Sequence, residues 1–107
     1  MNTTNENNAS SITLFRNLIA DLQWYKLNEF QLCDLSAVAQ ESTEGLCHGL
    51  LYLAESLESG EQNSTDSRAQ ISAWLKASAH VIPALIELGE QANSHMLKIY
   101  ENRVYPA

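Results

Sequence analysis

The chain has 107 residues, a formal net charge of −7 and a pI near 4.7. This length is enough for one domain with a modest core. Proteins that bind nucleic acid or anionic lipid need clustered Lys and Arg, so the charge argues against both and predicts a basic protein partner. With no leader-like segment at the start and no apolar run of membrane-spanning length, we expect a cytoplasmic protein that binds no membrane.

A polar tail is predicted at residues 1–11, disordered because it has nothing to bury, and a single helical domain follows at 12–107. Ser10 or Ser11 is expected to cap a first helix that runs to Leu27. Its apolar face consists of Phe15, Leu18, Ile19, Leu22 and Tyr25. Trp24 lies off that face, so its role as a covered or an interface residue stays open.

The segment 28–33 suits a short link or a continued helix, and we interpret it as a link. Asp34 then caps the second helix, which Ser59 and Gly60 end. Its predicted inward stripe is Leu35, Val38, Ala39, Ser42, Leu46, Gly49, Leu50, Leu53 and Leu57.

The third helix is predicted from about Ser67 to Arg103, with a polar turn before it that makes the second and third helices an antiparallel hairpin. Its stripe is Ile71, Trp74, Leu75, Ser78, Ile82, Leu85, Gly89, Ala92, Met96 and Tyr100, with Val81, Leu88 and Ile99 beside it. A helix of roughly 55 Å exceeds the width of such a domain, so it must bend or overhang and form a homodimer. Pro83 predicts a kink. The predicted fold is all-α, with three helices.

No residue pattern predicts catalysis, a cofactor or a metal. Glu44 and His48 lie four apart on the second helix, but adjacent Cys47 and His48 point about 100° apart and cannot form a dyad. The Glu-x-x-His pairs of di-metal bundles are absent. We therefore expect no enzyme, and we interpret Cys33 and Cys47 as reduced, semi-buried residues.

Two small residues, Gly45 and Gly49, form a ridge that would admit another helix. We expect it to pack against the third helix near Ala77 or Ser78, the alternative being a dimer seam.

The second helix also carries the main functional candidates. Between Lys26 and Arg68 there is no Lys or Arg, although eight carboxylates occur there. Leu51 and Tyr52 fall among acids on the helical wheel, as in an interface anchor with a charged rim. The alternative is that the first helix covers Leu51. The candidate partner-binding residues on this helix are Glu41, Glu44, Leu51, Tyr52, Glu55 and Glu58.

The third helix ends with Gly89-Glu90, His95 and Ile99-Tyr100, followed by the tail 101–107. This stretch resembles the C-terminal helix of small helical phage anti-CRISPR proteins of the type I-E class. The resemblance implies that His95, Tyr100 and the tail form a contact surface for the nuclease-helicase subunit of a CRISPR system. The sequence thus predicts an acidic, non-catalytic binding module, an inhibitor that blocks a nucleic-acid-handling surface. The alternative is a structural or adaptor hairpin without an inhibitory role.

Overall fold

The computed structural model describes residues 10–60 and 65–104, and this part of the chain is all-α, as predicted. It contains α1 (Ser11–Ala20), a single 3-10 turn (Trp24–Lys26), α2 (Glu29–Glu58) and α3 (Thr65–Val104). No strand occurs within these two ranges. Residues 1–9 of the tail predicted at 1–11, the turn at 61–64 and the end at 105–107 lie outside the described residues.

Helix α1 begins and ends through local hydrogen bonds. The Ser10 hydroxyl accepts the backbone N–H of Thr13 at 3.1 Å, so Ser10 is the N-cap and Ser11 is already helical. The helix ends at Ala20, and the prediction that it reaches Leu27 was wrong. Past Ala20 the chain turns so that the Trp24 indole N–H donates to the Ile19 carbonyl at 3.0 Å, which satisfies the polar atom of a buried side chain.

Helix α2 begins five residues before the predicted cap. The Asn28 side chain accepts the backbone N–H of Gln31 at 2.9 Å, while the Gln31 side chain accepts the backbone N–H of Asn28 at 3.0 Å. This capping box starts the helix at Glu29, so the predicted link at 28–33 and the predicted cap at Asp34 were both wrong. As a consequence Leu32 is a helical residue, and it is fully buried.

The predicted end of α2 is confirmed. The helix stops at Glu58, and the backbone N–H groups of Ser59 and Gly60 donate to the carbonyls of Glu55 and Leu57. Gly60 has a φ of 77°, in the left-handed region that a residue without Cβ adopts at little cost.

Contacts along α2 and α3 show that the two helices run in opposite directions. Gly49 lies against Trp74, and Ala39 lies against Gly89. The Ser36 hydroxyl donates to the Asn93 side chain at 2.8 Å, and farther along Glu29 forms an ion pair with Arg103. The two helices therefore lie side by side over most of their lengths.

Helix α1 packs on α3 alone. The Ser11 hydroxyl lies 2.6 Å from Nε2 of His80, and the guanidinium of Arg16 lies 3.1 Å from the carboxylate of Glu87. These contacts show that α1 runs parallel to α3. Because α1 makes no close approach to α2, only two of the three helix pairs are packed, and α3 is the central helix.

The hydrophobic core cluster lies at the end of the molecule where α2 begins. Trp24, Leu32 and Ala92 form the core there. Around them are half-buried apolar residues: Ile19, Leu27, Leu35, Leu88, Met96 and Ile99. The predicted stripes are only partly interior, because exposed side chains include Val38, Leu57, Leu75 and Tyr100.

Helix α3 continues without interruption past Pro83, and the kink there stays a prediction. The longest dimension of the molecule is 62 Å, close to the roughly 60 Å expected for a helix of this length. By length and composition, the segment Thr65–Arg103 could cross a membrane, and only 11% of its most apolar window is buried inside the chain. An apolar helix covered by a protein partner passes the same test.

Candidate protein-binding surface

Six of the predicted site residues form one exposed surface of α2, here called the acidic face. They are Glu41, Glu44, Leu51, Tyr52, Glu55 and Glu58, and all six are exposed. Leu51 retains 60% and Tyr52 retains 72% of its accessible surface. The alternative in which α1 covers Leu51 was wrong, because α1 does not approach α2.

The carboxylates of the acidic face make none of the ion pairs found in the described ranges. Those pairs are Arg16–Glu87 and Glu29–Arg103. Helix α2 itself contains no Lys or Arg that could form ion pairs with its carboxylates. Glu55 and Glu58 also lie in the last turn of α2, where the helix dipole disfavours anions. Their negative charge is therefore available to a cationic partner.

A groove beside the acidic face is the main feature that the sequence did not predict. Tyr52 lies on its rim, and its volume is about 340 Å³. It is lined by Gly49, Tyr52, Leu53, Ser67, Gln70, Ile71 and Trp74, and we call it the loop-end groove. Trp74 reaches across to Gly49, where an added Cβ would lie 3.1 Å from the indole ring. The available sequence signal was a glycine and a tryptophan on facing helices of a hairpin.

The remaining two predicted residues, His95 and Tyr100, lie elsewhere. The His95 ring stacks on Trp24 with centroids 5.9 Å apart and planes 13° apart, so it belongs to the packed end of the molecule. Tyr100 is exposed. It lies 26 residues beyond Trp74 on α3, about 39 Å along the axis. The structure therefore does not join these two residues to the acidic face.

The two glycines of the predicted ridge have different surroundings. Gly49 contacts Trp74, not Ala77 or Ser78 as expected, whereas a Cβ at Gly45 would meet nothing within 4 Å. Only one of the two glycines thus marks a close approach between helices.

The electrostatics differ where α1 meets α3. A hydrogen bond from Gln91 is the main reason that the pKa of Glu87 lies below its ordinary value. Desolvation raises this pKa, and the hydrogen bond and positive charge of Arg16 lower it further. Glu87 is thus a paired carboxylate, unlike those of the acidic face.

One polar arrangement resembles the start of a catalytic dyad. Nδ1 of His80 lies 2.8 Å from the Lys76 carbonyl, which can only accept, so Nδ1 carries the proton and Nε2 accepts the Ser11 hydroxyl. Neither Ser11 nor His80 lines the loop-end groove. The arrangement joins α1 to α3.

Metal ligands do not converge in the described ranges, where no group of three His, Cys, Asp or Glu side chains could hold an ion. Cys33 and Cys47 are free and exposed, so the prediction that they are semi-buried was wrong. Comparisons with known proteins found no matching family model, curated protein or solved structure.

Proposed function

We propose that this protein is a non-catalytic acidic helical module that binds a basic surface of another protein through the acidic face and the loop-end groove. The observation that carries the proposal is the set of exposed carboxylates around Leu51 and Tyr52, none of which has a cationic partner within α2. Local stability does not explain them, because like charges on one helix face repel.

The arrangement has the features of a binding surface with an anchor and a rim. Tyr52 combines a large apolar ring with a hydroxyl, and Trp74 lies in the adjoining groove. Such aromatic residues dominate binding energies at interfaces, while charges at the rim mainly raise the association rate. A basic segment of a partner would place apolar side chains in the groove and its cations beside Glu55 and Glu58.

The proposed inhibitory role follows from the resemblance between an acidic helix and the negative charge of nucleic acid. Basic surfaces that hold nucleic acid recognise closely spaced negative charge, and an acidic helix competes for them. An anti-defence protein of a phage or mobile element is the biological setting that the anti-CRISPR resemblance implies, with neither nucleic acid nor membrane bound directly.

A second candidate is a structural or adaptor hairpin. It is favoured by the exposed apolar residues on all three helices, among them Leu18, Val38 and Leu97. In that case the acids serve only solubility, and assembly is the function.

The deciding experiment reverses charge on the acidic face. A Glu55→Lys/Glu58→Lys variant should be as stable as the parent or more stable by a few tenths of a kcal/mol, because cations suit a helix C-terminus. Its association with a partner isolated from the host at low salt should slow about tenfold. Thermal melts and surface-capture kinetics measure the two effects.

The matched control is Asp21→Lys/Asp34→Lys, which makes the same change in net charge at exposed positions away from Glu55 and Glu58. Asp34 lies 21 residues before Glu55, about 31 Å along α2. Equal slowing by both variants would assign the effect to net charge. No slowing by either variant would leave the adaptor function in place of the inhibitor function.

A further inference from the structure

Helix α3 keeps an apolar stripe with exposed residues on both sides of its centre, where Gly89 and Asn93 contact Ala39 and Ser36 of α2. Its members recur mainly at three- and four-residue intervals, with Gly89 and Asn93 filling the central gap. They are Leu75, Ala79, Ile82, Ile86, Leu97 and Tyr100, here called the α3 seam. Leu75 and Ile86 are each 44% exposed, and Leu97 is 59% exposed. This spacing is that of a helix packed against another helix along its length.

Shallow grooves accompany the seam on the α2 side. One groove, of about 300 Å³, contains Leu75, Ala79 and Ile82 beside Leu50. A second, of about 340 Å³, contains Ile86 together with the small residues Ala39 and Gly89. Ala39 is buried, and a Cβ at Gly89 would lie 3.4 Å from it, so these two small residues join α2 to α3. The large exposed residues beside them, such as Ile86, are left to pack on a second helix.

We propose that a second copy of this chain covers the α3 seam, with the two α3 helices antiparallel about a two-fold axis that passes on the seam side of α3, level with Leu88. The midpoint of the seam, between Leu75 and Tyr100, is level with Leu88, whose own side chain packs against the core on another side of α3. Each half of the stripe therefore meets the other half in its copy. A two-fold interface of this kind requires a self-complementary surface.

The charges beside the seam support this occupant. Lys76 lies twelve residues before Leu88 and Glu101 thirteen after it, which places them about 18 and 20 Å from the axis in opposite directions. Antiparallel pairing therefore brings Lys76 of each copy to Glu101 of the other. Both residues are exposed, and neither takes part in the ion pairs of the described ranges.

Other arrangements fit less well. Parallel pairing would oppose Lys76 to a second Lys76, and contact through the acidic face would oppose carboxylates between two chains of net charge −7. One carboxylate does oppose the proposed dimer, since Glu90 lies within two residues of the axis. Removal of the Glu90 charge should therefore strengthen the dimer.

Sedimentation equilibrium of the full chain tests the charge pairing. The wild type should give a mass twice the chain's 11.9 kDa at tens of micromolar. Lys76→Glu and Glu101→Lys should each raise the dimer dissociation constant about tenfold, and the double exchange should restore it. Glu90→Gln should lower it severalfold.

Apolar variants test the seam itself. Ile86→Asp should give a monomer, whereas Leu18→Asp, on the exposed side of α1, should leave the dimer intact; circular dichroism checks that both stay helical. A monomeric wild type, no recovery in the double exchange, or a monomer from Leu18→Asp alone would overturn the proposal. So would loss of the dimer on transfer to neutral phosphatidylcholine vesicles, which would assign the seam to lipid. None of these variants alters the acidic face, so the result is independent of the proposed function.

Discussion

Each end of the α2–α3 hairpin has a tryptophan at it, but the two tryptophans differ in how far they are buried. At the end where α2 begins, Trp24 is 3% exposed, stacked on His95 and packed against Leu32. At the opposite end, Trp74 is only half-buried, and Tyr52 beside it is largely exposed. The difference is a third element, since the 3-10 turn that follows α1 covers the first end and nothing in the described structure covers the second.

The hydrophobic core cluster of this protein therefore lies where a third element meets the two helices. Two helices bury one strip between them and leave both flanks in water. In this protein the uncovered flanks are the loop-end groove and the α3 seam, which is why both become candidate interfaces.

The largest expected change in stability comes from replacing each tryptophan by alanine. Trp24→Ala should destabilise the fold by about 3–5 kcal/mol, because it leaves a large cavity and removes the stacking on His95. Trp74→Ala should cost about half as much or less, because that side chain retains solvent contact. Urea unfolding followed by circular dichroism measures both. Equal losses would remove the distinction between the two ends.

A smaller effect is expected at the two glycines of the uncovered end. Gly49→Leu should destabilise the protein by about 1–3 kcal/mol through overpacking against Trp74. Gly45→Ala is the matched control and should stabilise it by about 0.5–1 kcal/mol, since helix propensity rises and the site is open. Thermal melts of the two variants compare them. Stabilisation by Gly49→Leu would mean that the Trp74 side chain can move aside without loss of packing.

The smallest effect concerns the attachment of α1. The pKa of Glu87 is lowered in the folded protein from an ordinary value of 4.5, so its contribution to stability is present above pH 4.5 and is lost as pH falls below it. Glu87→Gln should cost up to about 1 kcal/mol at pH 7, because one partner of the pair is half-exposed. The cost should vanish near pH 3 in urea unfolding. Glu41→Gln, on the acidic face, should show no such cost at either pH.

The sequence predicted the features that depend on one local rule, but the wrong one of two possible N-caps was chosen for α2. The stop at Gly60 follows from backbone freedom, and the helical class follows from apolar periodicity. The start of α2 was missed although Asn28 and Gln31 form a capping box at the usual spacing. Asp34 is an equally good cap by residue type, but Ala37 three residues later cannot complete a capping box. The earlier start also makes Leu32 a helical residue that is buried in the core.

The candidate site shows the same division. The exposure of the acidic face could be predicted, because carboxylates without partners remain in water. The separation of His95 from that face could not, because it depends on where the chain turns after Ala20 and brings Trp24 over α3.

By itself, the sequence determined an all-α chain with an acidic helix, a glycine-ended α2 and a long apolar α3. Those properties come from local hydrogen bonding, spacing and charge. Only the tertiary structure decided that α1 lies on α3 alone, that Gly49 meets Trp74, and that Trp24 joins Leu32 in the core. The physical reason is that an amphipathic face specifies burial but not its partner; the geometry of the turns and the packing of particular side chains select it.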